Sequence, residues 1–466
     1  MSSPSPNLPS FKRRLKDLNS GQSRMAMPGN LEERCRLGKS EEDRIGALRA
    51  ILSSGRAEQR AEALMELGHL ARVGENWVEA RDNYAACLEI FQELSMETEE
   101  AKASYSVGYC QTKLRQHAEA VIHLSAALER ARSFNDSQEI AYICGPLADS
   151  LSELGRIDEA LAIYELARGA FADLGEHGPT GYAELRIGDL LMQQAKPVTA
   201  REVFEAAYNH FQTEGDGFSA AFARQHLADA LIELGLIDDA VRHLHDSLAV
   251  FEFLEADERV ADSYLRLGIA NNKRSRHSIA RSHLEVAIRS FRKSDDYVRA
   301  AIAEIQHSSA VIFEDLGGSH SAAFSRSERA KQYLIAAGEQ EAALEATVIM
   351  ARSDQLNQRF SSAAATWKVV VEKARQFGLR MLEQSALTNL AECYLELGAF
   401  ENGRKLLKAV DASAWGESHS EPENYRRVCV LAEGKPTVDE EPVFRCANAI
   451  ESWVELMKLP SWPTAA

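Results

Sequence analysis

Aromatic residues are scarce, 7% of the 466 positions, and only 27 glycines and 12 prolines punctuate the chain. That is too little turn-forming residue for a β-sandwich or barrel, and too little for an extended disordered linker. No stretch approaches the ~18 consecutive apolar residues of a membrane-spanning helix. The first ten residues, MSSPSPNLPS, lack the apolar run of a secretory signal. Seven cysteines, odd in number, scattered and without a C-x-x-C, do not read as a disulfide framework, so the expected setting is a reducing cytoplasm. Basic charge is also in deficit. With 53 Lys+Arg against 70 Asp+Glu the net charge is −17, which argues against a general nucleic-acid binder. There is no G-x-x-x-x-G-K-[ST], G-x-S-x-G or H-E-x-x-H, and no G-x-G-x-x-G after a strand. The 13 histidines include no i, i+4 pair that could chelate from one helix face. A non-enzymatic protein without cofactor, metal, nucleic acid or membrane is expected.

What the chain has is a period. Leu147-Ala-Asp-Ser-Leu-Ser-Glu-Leu-Gly-Arg-Ile-Asp-Glu-Ala160 recurs eighty residues later as Leu227-Ala-Asp-Ala-Leu-Ile-Glu-Leu-Gly-Leu-Ile-Asp-Asp-Ala240, and again as Leu390-Ala-Glu-Cys-Tyr-Leu-Glu-Leu-Gly-Ala-Phe-Glu-Asn-Gly403. Small residues keep the register: Gly68, Gly108, Ala148, Gly188, Ala228, Gly268, Ala310, Ala351 and Ala391, each followed twelve residues on by Ala80, Ala120, Ala160, Ala200, Ala240, Ala280, Ala322, Ala363 and Gly403. A later large residue (Phe91, Phe171, Phe211, Phe251, Phe291, Tyr333) completes most units. Within a unit the apolar spacing is helical, as at Phe222, Leu227, Ala230, Leu231 and Leu234. Gly235 stands where a left-handed helix end is wanted, and Asp238 where a side chain can cap a second helix over about 239–254. The small pair lets two antiparallel helices cross closely, Ala228 facing Ala240. One hairpin cannot bury both faces, so neighbours must stack.

The units resemble tetratricopeptide repeats: a small residue in the first helix, Leu-Gly at its end, Ala early in the second, then an aromatic. The common form has 34 residues, whereas this one has forty, closer to the repeats of kinesin light chains and of bacterial regulators. The resemblance implies an all-α, right-handed solenoid of about nine helix-turn-helix repeats, with a concave groove lined by first helices. It implies a binding protein and no reaction.

The domain reading follows. Residues 1–39 form a basic tail with eight basic against three acidic residues, net +5, leaving −22 on the rest. Residues 40–56 are a capping helix, 57–410 the nine repeats, and 411–466 an irregular segment with a degenerate helical cap.

In the resembling family the residue after the first small position points into the groove. Here that position holds His69, Tyr109, Asp149, Asp189 and Asp229 in the first five units. One helical turn on, Glu153, Gln193 and Glu233 share the face of the three aspartates. The family's basic carboxylate clamp of Lys and Asn is not supplied. Two readings stay open. The aspartates form an acidic groove for a Lys/Arg-rich partner segment, the tail's own Phe11, Lys12, Arg13, Arg14 and Lys16 being one candidate; or they are solvated, or paired with an arginine of the neighbouring unit such as Arg186 or Arg224. The expected role is a scaffold or adaptor for a protein or peptide. A peptide-sensing regulator, or a subunit of a homo- or hetero-oligomeric assembly, is the alternative.

Overall fold

A computed structural model describes residues 41–314, 319–410 and 423–433. The tail residues Phe11, Lys12, Arg13, Arg14 and Lys16, and most of 411–466, lie outside the described residues. Among the described residues there are twenty helices: α1 Glu41–Ser54, α2 Ala57–Val73, α3 Trp77–Glu93, α4 Glu97–Lys113, α5 His117–Ser133, α6 Ser137–Glu153, α7 Ile157–Asp173, α8 His177–Gln193, α9 Pro197–Glu214 and α10 Gly217–Glu233; then α11 Ile237–Phe253, α12 Asp257–Lys273, α13 His277–Lys293, α14 Tyr297–Phe313, α15 His320–Ala337, α16 Gln340–Leu356, α17 Phe360–Gln376, α18 Arg380–Glu396, α19 Phe400–Ala409 and α20 Glu423–Ala432. No strand occurs among the described residues. The fold is an all-α solenoid of helical repeats. It divides into two compact units, up to Arg130 and from Ala131.

Most connections between the described helices share one device. One or two residues past the last helical residue stands one in the left-handed region, Gly155, Gly175, Gly215, Gly235, Gly338, Gly378 and Gly398 among them. Its N–H reaches back to a carbonyl of the helix just ended, as Gly235 does to Ile232 at 3.1 Å. Several helices begin on a side-chain cap: Asn76, Asp136, Asp216 and Asp296 each accept from a backbone N–H. Asp238 does not cap. The α11 helix starts at Ile237, two residues earlier than a cap at 238 allows. Asp238 lies in its first turn and pairs with Arg274.

A row of large side chains fills the hairpins: Tyr84, Leu124, Tyr164, Phe204, Leu244, Leu284 and Trp367, all buried and each four residues after the second small position. This row, rather than a second small residue, is what the first small residue accommodates. A Cβ on Gly188 would stand 2.2 Å from the Phe204 ring, and one on Gly268 2.4 Å from Leu284. The seventh repeat departs from the expected register. The α15 helix begins at His320, so Ala323 and Leu334 take the buried places, while Ala322 and Tyr333 are exposed. The connection from Phe313 to His320 spans six residues, against three between most other helices.

In the second unit the first helices of successive repeats approach one another: α8 meets α10, α10 meets α12, α12 meets α14, and α14 meets α16. The polar side chains on these helices are consequently enclosed. Gln225, His226, Asp229, Asp262, Arg266, Glu304, His307, Arg352, Asp354, Gln355, Asn389 and Glu392 are all buried.

Candidate functional site

The site is built from the register position that carries the aspartates. Asp149 on α6 accepts a hydrogen bond from Arg186 Nη2 on α8 at 2.8 Å, and one from Tyr164 Oη. Arg186 Nε donates to the same Tyr164 Oη at 3.1 Å, which locks the guanidinium between helices. Asp189 on α8 meets His226 Nδ1 on α10 at 2.7 Å, and Arg186 Nη1 also lies 3.7 Å from its Oδ2. Asp229 on α10 accepts from Arg266 Nε on α12 at 3.0 Å with both oxygens. Each pair is separated by 37 residues. That offset is one repeat minus one helical turn, so the cation stands a turn before its own unit's groove position and faces the preceding unit. Asp262 continues the line to Arg299 Nη1 at 3.1 Å.

The result is a spine of alternating charge across α6, α8, α10, α12 and α14. The three aspartates are not an uncompensated acidic ladder. Pairing with Arg186 occurs; Arg224 instead donates to Tyr208 Oη at 2.7 Å and lies 3.4 Å from Asp246. Burial pushes the Asp229 carboxyl upward, and the Arg266 guanidinium and His226 oppose that shift. Further along, the same offset joins a charged side chain to a neutral one: Arg352 donates to Asn389 at 3.1 Å and Gln355 to Glu392 at 2.7 Å.

The remaining groove candidates separate. Glu233 pairs with Lys273 at 3.2 Å. Glu153 and Gln193 are exposed, and Asp149 keeps 43% of its side chain in solvent. His69 and Tyr109 belong to the first unit. His69 Nδ1 and Tyr84 Oη share a 2.7 Å hydrogen bond. Burial, with help from Arg72, holds the imidazole at about 4. Tyr109 packs edge-on to Trp77 at 6.1 Å, with Lys113 Nζ 5.7 Å from its ring centre.

The basic partners Arg186, His226 and Arg266 are the part of the site that the composition of the groove position alone does not reveal. Their signal is a forty-residue recurrence, three residues ahead of Asp189, Asp229 and Ile269.

Several buried polar atoms on these helices have no protein partner: Gln225 Oε1, His226 Nε2 and Arg352 Nε. The described cysteines Cys87, Cys110, Cys144 and Cys393 are buried, and burial pushes each thiol up to about 12. They serve as small core residues. Among the described residues no group of three or more His, Cys, Asp or Glu is placed to hold a metal, and no helix is long and apolar enough to cross a membrane.

No protein-family model matches the chain, and no match is found among curated proteins. Solved structures do match. The apo form of the quorum sensor NprR from B. thuringiensis is similar over 76% of this chain and 99% of its own, at 12% identity and a TM-score of 0.51. Aspartyl phosphate phosphatase F from Bacillus subtilis covers 89% of this chain and 99% of its own, at 12% identity and a TM-score of 0.49. A tetratricopeptide repeat protein from Parabacteroides merdae covers 57% and 97%, at 16% identity and a TM-score of 0.39. The chain thus shares the helical-repeat solenoid fold of NprR.

Proposed function

We propose that the chain is a non-enzymatic interaction adaptor that receives a polypeptide segment along the first helices of its second unit. The observation that carries this reading is the exposed edge of the spine, where Asp149 keeps 43% of its side chain in solvent and Glu153 and Gln193 stand exposed on the first helices of neighbouring repeats. Unlike the enclosed pairs further along, these side chains can be reached from outside and offer hydrogen-bond acceptors and a donor to the backbone of the segment. Its basic side chains, if it has them, are received at the spine's exposed end by Asp149 and Glu153. The fold is shared with a quorum sensor, NprR, which keeps a peptide-sensing version of the same role in view.

The test is selection of peptides from a displayed random library on the full chain, followed by affinity measurement on variants. Binding that falls at least tenfold in Gln193→Ala and in Asp149→Asn/Glu153→Gln supports the reading. Peptides that bind all variants equally place the receiving surface elsewhere. A change in radius of gyration on peptide addition identifies a sensor, and an unchanged radius an adaptor.

A further inference from the structure

Away from the spine, the fourth repeat brings together two imidazoles and a buried carboxylate. His177 is the first residue of α8, and Glu184, seven residues on, lies on the same face of that helix. His210 reaches them from the antiparallel α9. The Nδ1 atoms of His177 and His210 are 3.1 Å apart, with the rings tilted by 32° at a centroid distance of 5.3 Å. The other nitrogen of His210, Nε2, points to Glu184 Oε1 at 3.7 Å. Glu184 is 95% buried by its 5% exposure, and its Oε2 has no hydrogen-bond partner.

We propose that His177 and His210 bind a borderline divalent transition metal, of the Zn2+ or Ni2+ class, through their Nδ1 atoms, with Glu184 orienting His210 from behind. Two metal–nitrogen bonds of about 2.05 Å hold their nitrogens roughly 2.9 Å apart at a right angle and roughly 3.3 Å apart at a tetrahedral one. The observed separation falls between those limits. Glu184 supplies the carboxylate that metal-ligating histidines ordinarily engage through their second N–H, which fixes tautomer and ring orientation. Bound metal would add a second cationic neighbour to this buried, half-unpartnered carboxylate, beside Arg168.

The surroundings favour a cation. Glu176 precedes His177, and the Glu214 carboxylate lies over Gly178, where a Cβ would come within 2.2 Å of its Oε2. These charges oppose the positive end of the α8 helix at which His177 sits. The protein supplies two nitrogens, and water completes the coordination. Bound metal would tie α8 to α9, the hairpin whose first helix carries Arg186 and Asp189.

The experiment is calorimetric titration of the metal-stripped full chain with ZnCl2 and, separately, NiCl2, beside His177→Ala, His210→Ala and Glu184→Gln. His177 is exposed, so its replacement leaves the fold intact, as far-UV circular dichroism checks. The expected result is one saturable site that disappears in both histidine variants and weakens about 10- to 100-fold in Glu184→Gln. A metal-dependent rise in melting temperature seen in the wild type and absent in His177→Ala accompanies it. A stoichiometry and affinity that are the same in wild type and His177→Ala overturn the assignment, as does the absence of any saturable site in the wild type.

Discussion

Asp229 takes hydrogen bonds at 3.0 Å on both of its oxygens from a single atom, Arg266 Nε, which lies one repeat further along the chain. Both residues are buried, 6% and 4% exposed. The pair therefore sits where removal of one partner leaves an uncompensated charge away from water. Arg266→Ala should lower stability by about 3–5 kcal/mol, and Asp229→Ala/Arg266→Ala should recover part of that loss. Urea unfolding of the three variants gives the comparison; additive losses in the double variant would show that the pairing contributes nothing specific.

Gly188 lies under Phe204. Adding a methyl group there puts a carbon where the ring already is, and core overpacking of this kind costs about 1–3 kcal/mol. Gly188→Ala should be destabilised by that amount, and Phe204→Leu in the same chain should relieve it. Thermal melts of the single and double variants measure both effects.

The longer connection before α15 makes Ala323, not its neighbour, the residue that faces the hairpin interior. Ala323→Leu should cost about 1–3 kcal/mol by overpacking, while Ala322→Leu, exposed, should stay within about 0.5 kcal/mol of the parent. Equal effects at the two positions would refute the shifted register.

His69 is held at about 4 in the folded first unit, chiefly by burial and then by Arg72. In the unfolded chain its ordinary value is 6.5. Between those two values the unfolded state binds the extra proton. Stability is therefore complete above pH 6.5 and falls as the solution is acidified toward pH 4, by up to about 3 kcal/mol. Replacing His69 with Gln, which does not titrate, should flatten that part of the stability–pH curve measured by denaturant unfolding.

The period was legible because its markers are residues whose smallness is a steric requirement, as at Gly188 and Gly268, and because helix ends repeat in step with them. The slip in the seventh repeat was not legible. Two adjacent alanines and the adjacent Tyr333 and Leu334 satisfy the pattern equally well, and only the start of α15 decides between them. Asp238 looked like a cap because it is the right residue type near a helix start, but the turn after Gly235 is short enough to begin the helix at Ile237. The aspartate row is legible, and pairing with Arg186 is one of the two readings it leaves open; the partners His226 and Arg266 are not legible. An aspartate meets a cation 37 residues away only after both helices have been placed, and no local pattern announces that distance. The row of large residues from Tyr84 to Leu284 recurs as regularly as the small ones, yet mixed chemistry, Tyr, Leu and Phe, disguises it.

The 37-residue reach of the spine also bears on how such an array changes length. Every aspartate finds its counter-charge in the following unit, and that counter-charge stands at an equivalent place in three successive units, as Arg186, His226 and Arg266. Excision of one forty-residue period between Asp149 and His226 would set those two residues opposite each other, acid still against base. Duplication of a period in the same stretch would likewise insert an aspartate together with the cation its predecessor needs. Within these units the electrostatics are indifferent to copy number, so a gene could gain or lose a unit there without stranding a buried charge. That freedom ends at Ile269, which occupies the aspartate's place in the next unit and has no charge to hand on.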